Sequence, residues 1–247
     1  METFTLVGPT PMCHRPAFFI LLLAALLSLG AGSAAAQVVS IDGLYTTGVK
    51  NNGNLLKSNR QDSHYVVTDS SAGSTYTGSA YTVTTPASGW MAEPSDAQWI
   101  IAPNGAKNGK DTTRPAATYD YTLTFDMPAG AQLSSVSITG TGAADDTATI
   151  YVNGTLVSGQ TLSSWSSANS FALNSGNAAF VSGANSITFR VNNSGGGATG
   201  LMITGFSGTA VVPEVGAFLP VATAVTLCGL GLIRRRRRGS TAVNAPR

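Results

Sequence analysis

The chain has 247 residues, 14 Lys or Arg against 12 Asp or Glu, a formal net charge of +2, and only two cysteines. The charge is unevenly spread: residues 37–210 hold four Lys, three Arg and ten Asp or Glu, a net of −3, so this stretch lacks the basic footprint of a nucleic-acid binder. Cys13, in the segment before His14, and Cys228, in the C-terminal apolar run, both lie outside it, which excludes a disulfide scaffold and leaves packing, or packing helped by a bound ion, to hold the fold.

At the N-terminus, His14 and Arg15 precede an apolar run from Ala17 to Leu29, and small residues follow from Ala31 to Ala36. Ala34-Ala35-Ala36 is an A-x-A-type cleavage site, so residues 1–36 are predicted to be a signal peptide and Gln37 the new N-terminus. The segment before His14 is mixed, with Glu2 and Pro9, and a start at Met12 would give a more compact n-region. Export through Sec-type machinery and signal peptidase is the expectation.

Residues 37–210, some 174, fit one domain with a real core. Alternation with a period of two recurs along them, while helical periodicity is nearly absent. Tyr65 to Thr68, Ala80 to Thr84 and Gln98 to Ala102 are early strand candidates. Tyr119, Tyr121, Leu123 and Phe125 then share one strand face, as do Val136 and Ile138. Ala148, Ile150 and Val152 lead into Asn153-Gly154, a two-residue hairpin signal. Ile187, Phe189 and Val191 form another strand, and Leu201, Ile203 and Phe206 the last. Short strands joined by Gly, Asn and Ser turns predict an all-β fold, an antiparallel β-sandwich.

The chemistry-bearing residues are few. Asp145-Asp146 precedes the hairpin strand, and two readings stand side by side: a tentative Ca²⁺ site completed by other oxygens, with Asp42 and Asp62 as contributors if the fold brings them there, or a loop whose aspartates accept turn N–H groups. Of the three tryptophans, Trp99 lies in an apparent strand and reads as core. Trp90 and Trp165 follow loop-type segments and are the candidates for an aromatic platform against a sugar ring, with burial at the sandwich ends as the alternative. Asn192 and Asn193 lead into Ser194-Gly195-Gly196-Gly197, which is either a loop bounding a glycan site or a plain connection. Catalysis finds no convergent set. His64 is the only histidine left after signal removal, Glu93 has no identifiable carboxylate partner for glycoside hydrolysis, and neither a nucleophile elbow nor an H-E-x-x-H motif is present. A non-enzyme is expected.

The C-terminus carries the sharpest signal. Pro213 and Glu214 are followed by nineteen uncharged residues, Val215 to Ile233, and then by Arg234, Arg235, Arg236, Arg237 and Arg238. As a helix those nineteen residues would span about 28 Å, close to the hydrocarbon thickness of a bilayer. The positive-inside rule puts the arginines and the tail 239–247 in the cytoplasm and the preceding domain outside.

Residues 211–238 resemble the PEP-CTERM sorting signal of Gram-negative bacteria: Pro-Glu, an apolar helix and an arginine cluster. Where the family usually has a second proline, this chain has Val215. The resemblance implies recognition and cleavage by exosortase, an integral-membrane transpeptidase, near Pro213-Glu214, and bacteria that make exopolysaccharide. Gly43 to Gly48, Asp62 to Tyr65, Gln98 to Pro103, Ala143 to Asp146, Ile150 to Gly154 and Asn192 to Gly196 are similar to the galactose-binding-like jelly roll that such proteins often carry. The expectation is an exported cell-surface or exopolysaccharide-matrix protein, structural or adhesive, anchored in the membrane before processing. The alternative is a carbohydrate-binding module.

Overall fold

Alternating burial turns the apolar periodicity into strands. The computed structural model describes residues 36–105 and 107–214. In chain order the strands are β1 (Ala36–Ser40), β2 (Gln61–Ser70), β3 (Gly78–Thr82), β4 (Ile100–Ile101), β5 (Thr113–Arg114), β6 (Ala117–Asp126) and β7 (Gln132–Asp145). Then follow β8 (Thr147–Val152), β9 (Thr155–Leu162), β10 (Asn169–Asn174), β11 (Ala184–Asn193), β12 (Gly197–Ala198) and β13 (Gly200–Pro213). On β6 the residues Tyr119, Tyr121, Leu123 and Phe125 are buried while Thr124 and Asp126 are exposed. β8 and β11 bury their predicted apolar sets in the same way. At the β8–β9 turn Asn153 and Gly154 both have positive φ, 49° and 77°, as a two-residue I′ turn requires.

Eleven strands form one antiparallel sheet in the order β10-β7-β13-β4-β3-β2-β6-β11-β8-β9, with β1 on β13. β12 and β5 form a separate ribbon. Most neighbours come from distant parts of the chain, so the sheet folds over on itself into two facing layers. Its two ends meet through side chains: the Ala172 N–H donates to Gln160 Oε1 (3.0 Å) and the Ser163 N–H to Asn169 Oδ1 (2.8 Å). Between the layers Phe171, Phe189 and Phe206 stand mutually edge to face, at centroid separations of 5.6 to 6.3 Å. The expected all-β antiparallel sandwich is the fold observed.

β1 and β10 were not expected from the sequence. β1 is short, and the exposed Val38 on it gives no alternation to read. β10 buries only Phe171 and Leu173 among polar residues. The β1 pairing carries the sheet beyond Ala210, since Val211, Val212 and Pro213 oppose Val38, Gln37 and Ala36. Residues 1–35, the apolar run 215–233 and the arginine cluster lie outside the described residues. Among the described residues no helix is long and apolar enough to cross a membrane.

A second apolar layer covers the outer face of the sheet at β4, β7 and β13. Ile100, Ala144, Leu201 and Ile203 face the main core, while their neighbours Ile101, Ala143 and Met202 face outward and are buried as well. Residues 83–99 fold back over them and place Trp90 against Trp99, centroids 4.1 Å apart. Gly200 makes room for this: a Cβ there would lie 2.7 Å from Trp90 Cη2 and 3.1 Å from the Ile100 carbonyl oxygen. Gly200→Ala is therefore expected to cost about 1–3 kcal/mol, the range for overpacking. Urea unfolding followed by tryptophan fluorescence reads it; an unchanged midpoint would show that the layer yields freely.

Candidate functional site

Several chain segments converge at one end of the sandwich. β7 ends there at Asp145, opposite Gly200 at the start of β13, and β8 begins at Thr147 opposite Asn192 near the end of β11. The β9–β10 connection joins them: Ser164 accepts from the Ala144 N–H (3.1 Å), and the Trp165 carbonyl accepts from the Met91 N–H (2.8 Å). Ser164 Oγ also accepts from the Ser166 and Ser167 N–H groups at 3.1 and 3.2 Å. The serine-rich turn is thus folded on its own hydrogen bonds, as Ser-rich turns do.

That turn presents Trp165, which is 42% exposed. Among the described residues it is the one exposed aromatic side chain. Trp90, the other platform candidate, is only 9% exposed. Its indole N–H donates to Asp145 Oδ2 at 2.6 Å and its ring packs on Trp99. A ring covered in this way offers no face to a sugar; Trp90 supports the end instead. Trp99 is fully buried, as expected of a core residue.

The two aspartates face different surroundings. Asp145 is nearly buried, and burial pushes its carboxyl up to about 6, with the Trp90 N–H pulling the other way and Asp146 adding to the rise. Asp146 accepts from the Ser194 hydroxyl (2.6 Å) and the Ser194 N–H (2.8 Å), and these bonds hold its carboxyl below the usual range. Asp42 and Asp62 lie at the other end of the sandwich, and Asp62 is occupied by the Gly48 and His64 N–H groups. Among the described residues no group of three or more His, Cys, Asp or Glu is placed to hold a metal. A calcium ion prefers six to eight oxygens, and this donor set, half buried and already accepting hydrogen bonds, does not fit one.

Asn192 is exposed and its carbonyl accepts from the Asp146 N–H (3.1 Å). Asn193 is buried, and its amide donates to the carbonyls of Arg114 and Pro115, both at 3.1 Å. Asn193 therefore ties the loop down rather than meeting a ligand. Gly196 and Gly197 have positive φ, and they carry the chain into the β12–β5 ribbon. His64 stacks on Tyr45 at 3.7 Å and its Nε2 lies 2.9 Å from Asn51 Oδ1. Glu93 accepts from the Trp99 N–H at 2.8 Å, and burial raises its carboxyl.

The sequence placed Ser194 in the loop after Asn193 but gave no sign of its two hydrogen bonds to Asp146, and it gave none of Arg114. Arg114 is 1% exposed, and its guanidinium donates to the carbonyls of Ala102, Asn108, Asp111 and Thr113. A two-residue strand around a cation leaves no pattern from which such burial can be read.

No family model and no curated protein matches the chain. Among solved structures it is similar to a mutant of a family 29 carbohydrate-binding module, at TM-score 0.34 and 12% identity over 71% of this chain and 92% of that one. It is also similar to the CBM36-1 domain of a multidomain xylanase from the hindgut metagenome of Trinervitermes trinervoides, at 0.29 and 9%, covering 71% and 96%. A third is TmCBM61 in complex with β-1,4-galactotriose, at 0.27 and 11%, covering 76% and 94%.

The Asp145 carboxyl gives a pH test. Its value is higher when folded than the ordinary 3.8, so the folded state holds the proton more tightly than the unfolded chain. Stability from this group is full below about pH 4 and lost as pH rises through about 6. Glu93 acts with the same sign, whereas Asp96, Asp111 and Asp146, all lowered, act in the opposite sense at lower pH. The melting temperature of Asp145→Asn should fall less than that of the wild type between about pH 4 and 6. Equal slopes in the two proteins would rule out this assignment.

Proposed function

We propose that residues 37–213 form an exported, non-catalytic glycan-binding domain, and that the Trp165 end meets the sugar. One observation carries this: a tryptophan, a side chain that folding normally hides, stands exposed on a turn fixed by its own hydrogen bonds. Its ring suits the apolar face of a pyranose, and no rotamer-rich loop has to be ordered on binding. At the same end the exposed Asn192 and Ser194 and the partly exposed Asp146 supply hydrogen-bonding groups for hydroxyls. The buried Trp90 and Trp99 beneath keep that end rigid. The proposal rests on this geometry and not on likeness to the solved domains. Retention at the cell surface or in an exopolysaccharide matrix is what such binding would accomplish.

Trp165→Ala is expected to lower glycan affinity at least about tenfold, a loss of roughly 1.4 kcal/mol, while the melting temperature stays within about 2 °C of wild type, as for a surface substitution. A glycan array followed by titration calorimetry reads the affinity. Wild-type protein that binds no glycan, or Trp165→Ala protein that binds equally well, would remove the proposal.

Sorting is a separable part of the proposal. The signal peptide is removed after Ala36, residues 215–233 arrest transfer with the arginines inside, and an exosortase-like enzyme cuts near Pro213-Glu214. Support comes from the three-part tail in the sequence. Intact mass of the protein from membrane and extracellular fractions should show a species from Gln37 to Pro213 or Glu214. A tail kept whole in both fractions would contradict processing.

A further inference from the structure

We propose a second binding site, independent of the Trp165 end, that takes an acidic polysaccharide bearing carboxylate sugars. It is a groove of about 580 Å³ on the outer face of β2 and β3, lined by Lys50, Lys57 and Arg60 around Tyr81, Leu56 and Gln61. These are three of the seven cationic side chains in residues 37–210, where acids outnumber them. No carboxylate lines the groove, and none of the three cations forms an ion pair among the described residues. Asp62, beside Arg60 and Gln61 in the chain, turns its carboxylate inward to the Gly48 and His64 N–H groups. The cations are therefore left with no acidic partner of their own.

The groove is built rather than incidental. Buried Thr82 fixes its backbone: the Thr82 hydroxyl donates to the Lys57 carbonyl (2.8 Å) and accepts from the Arg60 N–H (3.0 Å), and the Thr82 N–H donates to the Arg60 carbonyl (2.9 Å). Asn59, at φ 56°, accepts from the Gly109 N–H (3.0 Å), which ties in the turn that carries Lys110. Lys50 is held in a tight turn by its N–H to the Asn54 carbonyl (2.8 Å) and its carbonyl to the Gly53 N–H (2.9 Å). On the floor, Gln61 Nε2 donates to Tyr81 Oη at 3.0 Å, which fixes the half-buried phenol.

Charge and shape together select the ligand. The Tyr81 ring and Leu56 suit the apolar face of a sugar ring, and the three cations lining the same groove suit a ring carboxylate. The attraction is local, because the domain as a whole is acidic. That disfavours duplex nucleic acid, with a charge about every 1.7 Å, relative to a polymer carrying one carboxylate per sugar.

The test is affinity electrophoresis of the purified full chain through gels containing polygalacturonate, dextran sulfate or neutral dextran. Polygalacturonate should retard the wild type, less so as salt rises from about 50 to 500 mM. Lys57→Glu/Arg60→Glu should weaken that retardation at least about tenfold, and Trp165→Ala should leave it intact. Should the double variant melt well below wild type, Lys50→Gln/Lys57→Gln, which keeps Arg60 and the Thr82 hydrogen bonds, must show a smaller loss of the same kind. Four results would overturn the site: no retardation by polygalacturonate, equal retardation of the charge-reversed protein, loss on Trp165→Ala alone, or tighter binding of duplex DNA through the same three cations. Preference for dextran sulfate over polygalacturonate would overturn the carboxylate assignment.

Discussion

The packed pair Trp90 and Trp99, tilted 32° to one another, is the contact on which this end of the molecule depends. A sheet of a sandwich can leave its outer face to water, but here β4, β7 and β13 carry apolar residues on both faces. Ile101, Ala143 and Met202 would be exposed if residues 83–99 did not lie across them. The same excursion brings the Met91 N–H to the Trp165 carbonyl and the Trp90 indole to Asp145. The exposed tryptophan is therefore held through its backbone by the layer that buries the other two. Hydrophobic burial on the outer face positions the candidate site, and the polar contacts follow from it.

Polar groups that folding takes out of water are almost all used as fasteners. Among the described residues Arg114 forms no ion pair; carbonyls around the 102–113 loop take up its donors. Burial lowers its affinity for the proton, although nearby tyrosines and Asp111 oppose this. Replacing it would orphan several carbonyls at once, each costing desolvation energy. Asp120 and Arg190 face each other across β6 and β11 with two 2.7 Å hydrogen bonds, and Arg190 lies over the Tyr151 ring. Thr68, Thr122 and Thr188 continue the same outer face as a ladder of hydroxyls. In a domain without cysteines, these cross-strand ties and the Phe171–Phe189–Phe206 cluster do the fastening that disulfides do elsewhere.

Strands buried on one face were legible in the sequence. Tyr119 to Phe125, Ala148 to Val152 and Ile187 to Val191 alternate cleanly because water lies on one side and core on the other, and Asn153-Gly154 names its own turn. Trp99 was legible as core from its neighbours Ile100 and Ile101. The outer layer was not. Where both faces of a strand are covered, alternation disappears, so Ala143-Ala144 and Leu201-Met202 carry no directional signal, and Trp90 looks like any loop tryptophan. Site residues were legible only as types: Trp165, Asn192 and Asp146 stand at the surface of one end, while Asn193 and Asp145 are spent on Pro115 and Trp90. Spacing in sequence cannot separate an asparagine that meets water from its neighbour that meets a carbonyl. The basic groove escaped notice for a different reason. Lys50, Lys57 and Arg60 are spread over a segment without periodicity; the Thr82 hydrogen bonds hold Lys57 and Arg60 together, and a separate turn holds Lys50.

The topology also sets the two chain ends of the sandwich apart from the candidate site. β13 runs from Gly200, opposite Asp145, to Pro213, opposite Ala36. A 14-residue strand covers roughly 40 Å at about 3.3 Å per residue, less its bulges. The chain thus enters and leaves the compact unit side by side at one end, while Trp165, Asn192 and Ser194 occupy the other. The paired ends Ala36 and Pro213 do not line the candidate site. The supports of the Trp165 end are Trp90, Trp99 and the serine turn, none of which takes part in the pairing of β1 with β13.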